Sequence, residues 1–239
     1  MAAPSVALPD LRGHGHAVIA VGRTGLRECE DDPAGTAAVN VAGTLRVAGL
    51  LLEAGVRPCA FSSDYVFDGR SGPYGDAGVP APLNAYGRQK AELEARFPAE
   101  GLVVRAPKAY GTTRGDGTLL DEMFAALVAE RTVRAARDQA FTPVHADDLA
   151  AATLDLLEAG AAGVVNVCGP DRITRFELGR RVAHAAGADA RLVEEISLAD
   201  LGEPFERPLD TSLAMERHRV RTRGIDDAIA ELAAAYGVA

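Results

Sequence analysis

Val56-Arg-Pro-Cys-Ala-Phe-Ser-Ser-Asp-Tyr-Val-Phe-Asp-Gly69 decides the fold. Val56 to Ser63 reads as a strand ending in two hydroxyls. Asp68 to Leu83 follows as a Gly- and Pro-rich loop, of the length that carries function. Upstream, His16 to Gly22 is a short apolar run ending in glycine, a buried strand. Asp32-Pro33 opens a helix with proline at an early helical position. Ala38, Val41, Leu45, Ala48 and Leu52 keep the helical period from Ala34 to Ala54, and Gly55 ends it. Downstream, Asn84 to Arg96 is a helix and Gly101 to Ala106 a strand. Residues 16 to 106 thus alternate strand and helix. That alternation predicts an α/β fold, a parallel sheet with helices on its faces.

After Gly111 the pattern changes. Helices are expected over Leu119 to Glu130, Asp147 to Ala159, Thr174 to Ala186 and Gly224 to Tyr236. Thr174 with Glu177 has capping-box spacing. Strands are expected over Thr132 to Ala136 and Gly163 to Cys168, the latter returning to the sheet beside the strands of residues 17 to 106.

The chemistry concentrates at Ser63, Tyr86 and Lys90. Tyr86 and Lys90 are four apart and share a helix face. The ammonium is expected beside the phenol, lowering its pKa from about 10. Ser63 could hold a carbonyl oxygen while Tyr86 passes it a proton. Of 25 Lys plus Arg, only Lys90 and Lys108 are lysine. Arginine cannot replace a compact ammonium whose pKa can be tuned, so Lys90 is not filler.

Bulk properties narrow the class. The length, 239 residues, suits one domain with a small lobe. A net charge of -9 argues against nucleic acid. Cys29, Cys59 and Cys168 are read as reduced core thiols in the cytoplasm. The histidines show no metal-ligand spacing. No apolar run of about 18 residues is evident, so no membrane span is expected. The first ten residues lack the pattern of a secretory signal. Arg217, Arg219, Arg221 and Arg223 read as a solvated face or a strand edge.

Together these residues resemble the extended short-chain dehydrogenase/reductase superfamily, and within it the dTDP-4-dehydrorhamnose reductase group. The motifs are Ser62-Ser-Asp-Tyr-Val-Phe-Asp-Gly69, Pro82-Leu-Asn-Ala-Tyr-Gly87 with Lys90, and Val39-Asn-Val-Ala-Gly-Thr44. Further matches are Arg105, Tyr110-Gly111, Asp138-Gln139, His145-Ala-Asp-Asp-Leu-Ala150, and Arg207-Pro208 with Thr211-Ser-Leu213. The resemblance runs from about residue 17 to 237. Three features depart from it. Phe141 and Val144 stand where the group has Gly and Thr, and Pro107-Lys108-Ala109 replaces Ser-Trp-Val. The group also opens with a glycine-rich strand-turn-helix and further units, roughly 50 residues. Here the fourth unit starts near residue 17, and Val21-Gly-Arg-Thr-Gly25 is the loop after the fourth strand.

The resemblance implies an N-terminally truncated Rossmann-like sheet. Residues 1–111 are a partial Rossmann-like domain. Residues 112–239 complete the sheet and form a small substrate lobe for a sugar nucleotide. It implies Tyr86 as acid, Lys90 as its electrostatic partner and ribose ligand, and Ser63 as carbonyl anchor. Asp64 and Tyr65 are candidates to face the sugar, with a turn-capping role equally open for Asp64. Lys108 and Arg207 are candidates for the nucleotide phosphates. NADP or NAD is the implied cofactor, with weak or absent binding expected if the glycine-rich turn is missing. The alternatives are a non-catalytic sugar-nucleotide-binding or regulatory protein like the methionine adenosyltransferase regulatory subunit, or a fragment of a longer reductase. A bare sheet edge also predicts a homodimer or a partner protein.

Overall fold

The computed structural model describes residues 8–238. The reading of the first ten residues as no secretory signal falls largely outside them. In chain order the elements begin with β1 (His16–Ile19), α1 (Leu26–Asp31), α2 (Pro33–Ala37), a π-helical turn (Ala38–Gly43) and α3 (Thr44–Glu53). Next come β2 (Arg57–Ser63), a 3-10 turn (Asp64–Val66), α4 (Ala85–Arg96), β3 (Leu102–Ala106) and β4 (Ala109–Tyr110). Then follow α5 (Leu119–Val128), β5 (Val133–Ala136), β6 (Ala140–Phe141), β7 (Val144–His145), α6 (Ala146–Glu158) and β8 (Gly163–Asn166). The chain finishes with β9 (Ile173–Thr174), α7 (Arg175–Ala185), β10 (Val193–Ile196) and α8 (Ile225–Tyr236).

The central sheet has the order β1-β2-β3-β8 and is parallel throughout. Its alternation sorts the side chains. Cys59, Leu102, Val104 and Val165 point to one face, where Ala152, Leu156 and Leu157 of α6 cover them. Ser62 and Arg105 are register partners and point to the other face, where both reach Glu94 of α4. A second core joins α5, α7 and α8 through Phe124, Leu178, Val182, Ile229 and Leu232. The parallel pair β5–β10 lies against α7.

β1 is the edge of the sheet. Among the described residues no strand pairs with its outer side, and Val18 is 43% exposed. The expected strand His16 to Gly22 ends at Ile19, because the chain turns away from β2 into the loop before α1.

The helix expected over 34–54 is continuous but carries the π turn in its middle. By length and composition alone the helix of residues 33–53 is long and apolar enough to cross a membrane, a test that a core helix also passes. Small Ala and Gly residues make it apolar without bulk. Its buried Thr36 and Asn40 both hydrogen-bond Gln89 of α4, so this stretch packs on a neighbouring helix.

Candidate active site

β2 delivers Ser63 to the C-terminal edge of the sheet, the edge where ligands bind in such folds. There Ser63 caps the 3-10 turn. Its Oγ accepts the Tyr65 N–H at 3.2 Å and donates to Asp64 Oδ1 at 2.9 Å. Asp64 is 4% exposed, and its Oδ2 accepts the Thr211 hydroxyl at 2.5 Å. Burial pushes the Asp64 carboxyl up to about 6, while hydrogen bonds from Thr211 and Ser63 and the charge of Arg175 pull it down. Asp64 opens the turn that Ser63 caps, and its carboxylate reaches across to the Thr211 segment.

α4 starts where Asn84 accepts the Gly87 N–H at 2.9 Å, a standard N-cap. Gly87 has a second reason to be glycine: a Cβ there would collide with the Tyr65 carbonyl. The bare backbone lets α4 approach the Ser63–Tyr65 turn, which sets Tyr86 beside Ser63. The Tyr86 and Tyr65 rings meet edge to face, with centroids 6.3 Å apart. One turn along α4, Lys90 is 6% exposed and donates to the Phe61 carbonyl at 2.8 Å. Its Nζ lies 5.8 Å from the Tyr86 ring centroid.

The expected lowering of the Tyr86 pKa is not found. Burial raises it first, and Asp64, Cys29 and Tyr65 raise it further, against the Ser63 hydroxyl that pulls it down. The reason is burial: the phenol is shut away from water, and the Lys90 ammonium over its ring, bonded to the Phe61 carbonyl, does not offset that cost. Burial also lowers the Lys90 pKa. Tyr86 therefore keeps its proton, the state a proton donor needs.

Beneath Tyr86, Lys90 keeps N–H groups of the kind a ribose hydroxyl takes. Lys90 has three hydrogens and spends one on Phe61. A Cβ on Gly22 would lie 3.3 Å from Asn40 Oδ1 and 4.0 Å from Lys90 Nζ, so the loop after β1 comes close over both. Asn40 pins that loop. Its Oδ1 accepts the Arg23 N–H at 2.7 Å, and its Nδ2 donates to the Arg23 carbonyl at 2.8 Å and to Gln89 Oε1 at 2.7 Å. Asn40 lies in the π turn, and such turns are frequent at functional sites. Val21-Gly-Arg-Thr-Gly25 lies in the loop between β1 and α1. The helix after it is one short piece packed on α2 and α4. Among the described residues no group of three or more His, Cys, Asp or Glu could hold a metal.

On the other side of Tyr65 lies a polar wall. Gln139 Nε2 donates to the Tyr65 hydroxyl at 3.2 Å. Arg207 pairs with Glu203 at 2.7 Å and borders a groove of about 560 Å³ with Asp68, Leu83, Phe205 and Leu209. The Nε atoms of Arg207 and Arg175 are buried and have no partner among the described residues. Arg175 stacks its guanidinium 4.5 Å above Phe141 and acts on both Asp64 and Tyr65. Sequence reasoning missed Arg175. One signal was available: an arginine in the first turn of a helix opposes the helix dipole. Lys108 is exposed beyond the end of β3 and makes no side-chain hydrogen bond or ion pair among the described residues. The structure does not bring it into this wall. His145 caps α6 by accepting the Asp147 N–H at 3.1 Å, as an ordered cap histidine.

The chain has relatives among known proteins. The RmlD substrate binding domain family matches residues 15–234. The chain belongs to this family. A probable low-salt glycan biosynthesis reductase of Haloferax volcanii, Agl14, is 32% identical over 220 residues, covering 87% of this chain and 73% of the relative. A dTDP-4-dehydrorhamnose reductase of Mycobacterium tuberculosis is 33% identical over 213 residues, covering 84% of this chain and 69% of the relative. The crystal structure of the Bacillus anthracis dTDP-4-dehydrorhamnose reductase in complex with NADP superposes with a TM-score of 0.79 at 19% identity. That match covers 89% of this chain and 78% of the other. This RmlD-family chain therefore has the Rossmann-like α/β fold expected from its sequence.

Proposed function

We propose that the chain reduces the keto group of a nucleotide-activated sugar, with NADPH or NADH as hydride source. The observation that carries this reading is the placement of Ser63 and Tyr86 side by side at the strand ends, with Lys90 one turn below. The reductases among its relatives support it, and the NADP held by the Bacillus protein supports a nicotinamide cofactor.

In this reading Ser63 holds the ketone oxygen and Tyr86 gives that oxygen its proton. Lys90 holds the ribose through its remaining N–H groups. When bound, the cofactor supplies the hydride. Tyr65 borders the sugar, while Asp64 acts from behind Ser63, its two oxygens taken by Ser63 and Thr211. Arg207 and Arg175 are assigned to the phosphates, since guanidinium matches phosphate geometry. Phosphate recognition passes from Lys108 to Arg175, because Lys108 stands apart in solvent. Residues 1–111 supply the acid and its partners, and residues 112–239 supply the phosphate contacts.

Steady-state reduction of dTDP-4-dehydro-6-deoxyhexose tests the assignment. Arg207→Ala is expected to raise KM by about 10- to 100-fold with kcat nearly unchanged, the loss of a charge-assisted hydrogen bond made equally in ground and transition states. Lys108→Ala is expected to stay within about threefold of the parent. Equal losses in the two variants, or no loss in either, would contradict the phosphate assignment. No reduction by the parent chain with either cofactor would contradict the reductase reading.

A further inference from the structure

A serine hydroxyl has one hydrogen to give. Ser63 gives it to Asp64 Oδ1, while its oxygen already receives the Tyr65 N–H. A ketone oxygen only accepts, so with Asp64 ionised Ser63 has nothing to offer it. Asp64 Oδ2 is occupied as well, by the Thr211 hydroxyl, and the carboxylate is nearly sealed from water. A proton on Oδ1 reverses one bond and leaves the other alone. The carboxylic acid then donates to Ser63, and the Ser63 hydrogen swings toward Tyr86 and the cleft.

We propose that Asp64 is a positioning residue that sets where Ser63 sends its hydrogen, and that its neutral form is the one in which Ser63 can hold a substrate ketone. The proposal rests on the reductase reading above. The proton on Asp64 is exchanged with solvent and is not consumed. The proton that ends on the alcohol oxygen comes from Tyr86.

The groups facing Asp64 are Ser63 and Tyr65 from its own turn, Tyr86 from α4, Arg175 from α7 and Thr211 from the segment after Arg207. Arg207 lies beyond Tyr65. Burial opposes the charged carboxylate, and Thr211, Ser63 and Arg175 favour it, leaving a midpoint of about 6 within easy experimental reach. Tyr86 and Tyr65 are both raised, so neither titrates in the same range.

The test measures kcat/KM for dTDP-4-dehydro-6-deoxyhexose between about pH 5 and 8. Infrared difference spectra of parent minus Asp64→Asn, taken without cofactor or substrate, accompany it. The parent is expected to lose activity above the Asp64 midpoint, about tenfold per pH unit. Asp64→Asn donates to Ser63 and accepts from Thr211 at every pH, and should stay active with a flat profile. Thr211→Val removes a hydrogen bond to the charged form and should move the falling limb up by about one pH unit or more. A protonated-carboxyl band should vanish from the difference spectrum at the parent's midpoint and shift the same way in Thr211→Val.

A folded but inactive Asp64→Asn, or one that keeps the parent's falling limb, overturns the proposal. So does an unmoved limb or band in Thr211→Val, which decides the matter if Asp64→Asn does not fold. Failure of these variants in an active parent leaves the reductase reading standing. A parent inactive at every pH overturns that reading and the proposal with it.

Discussion

Tyr86→Phe is expected to lower kcat for the keto-sugar by about 10²- to 10⁴-fold, the usual contribution of a placed general acid. The phenol oxygen is the only heavy atom removed. The ring stays edge to face with Tyr65, and Gly87 still lets α4 sit against the turn. Binding of the nucleotide sugar, read by calorimetry, should therefore change little. A fall in kcat with unchanged binding marks an interaction made in the transition state. Because burial holds the Tyr86 proton, the parent should show no loss of activity from Tyr86 ionisation at neutral pH. A Tyr86→Phe variant within about threefold of the parent would remove the phenol from the chemistry.

Glu94→Ala is expected to destabilise the chain by about 3–5 kcal/mol, read from urea unfolding midpoints at constant slope. Arg105 and Glu94 meet at 2.7 Å with their side chains 3% and 4% exposed. Ser62 donates to the same carboxylate, and Arg105 also donates to the carbonyls of Asp76 and Gly78 while lying over Phe67. Removing Glu94 strands a buried guanidinium between α4 and the loop of residues 68–83. The double change Glu94→Leu with Arg105→Met should recover part of the loss, since an apolar pair leaves no uncompensated charge. A cost under about 1 kcal/mol for Glu94→Ala would place the pair in contact with water.

Much of this was legible in the sequence because it is local. The alternation of runs and periods around Val56–Ser63 gave the parallel strands, and Tyr86 and Lys90 lie on one helix whose cap, Asn84, precedes them. Thr174 and Glu177 form the capping box that their spacing predicts. What escaped depends on distant partners. Thr211 meets Asp64 across 147 residues, and no period or motif spacing encodes that contact. Arg175 was visible only as an odd charge at a helix start, and its place above Phe141 follows from packing. The pKa of Tyr86 was misread because spacing places Lys90 on the right face but says nothing of how deeply the phenol is buried. The short α1 and the two-residue strands β4, β6, β7 and β9 are too brief to impose a period. The π turn at Asn40 has no periodic signature of its own.

The most direct test of the account is a label transfer. The full chain, mixed with NADPH carrying deuterium at the transferable position of the nicotinamide and with dTDP-4-dehydro-6-deoxyhexose, should yield an alcohol with deuterium on the former carbonyl carbon. Parallel runs with labelled NADH cover the second cofactor, and Tyr86→Phe should lose nearly all of the signal. Deuterated product from the parent and not from Tyr86→Phe is the predicted result. Unlabelled, unreduced keto-sugar from the parent with both cofactors, in a chain that still binds the nucleotide sugar, would contradict the account.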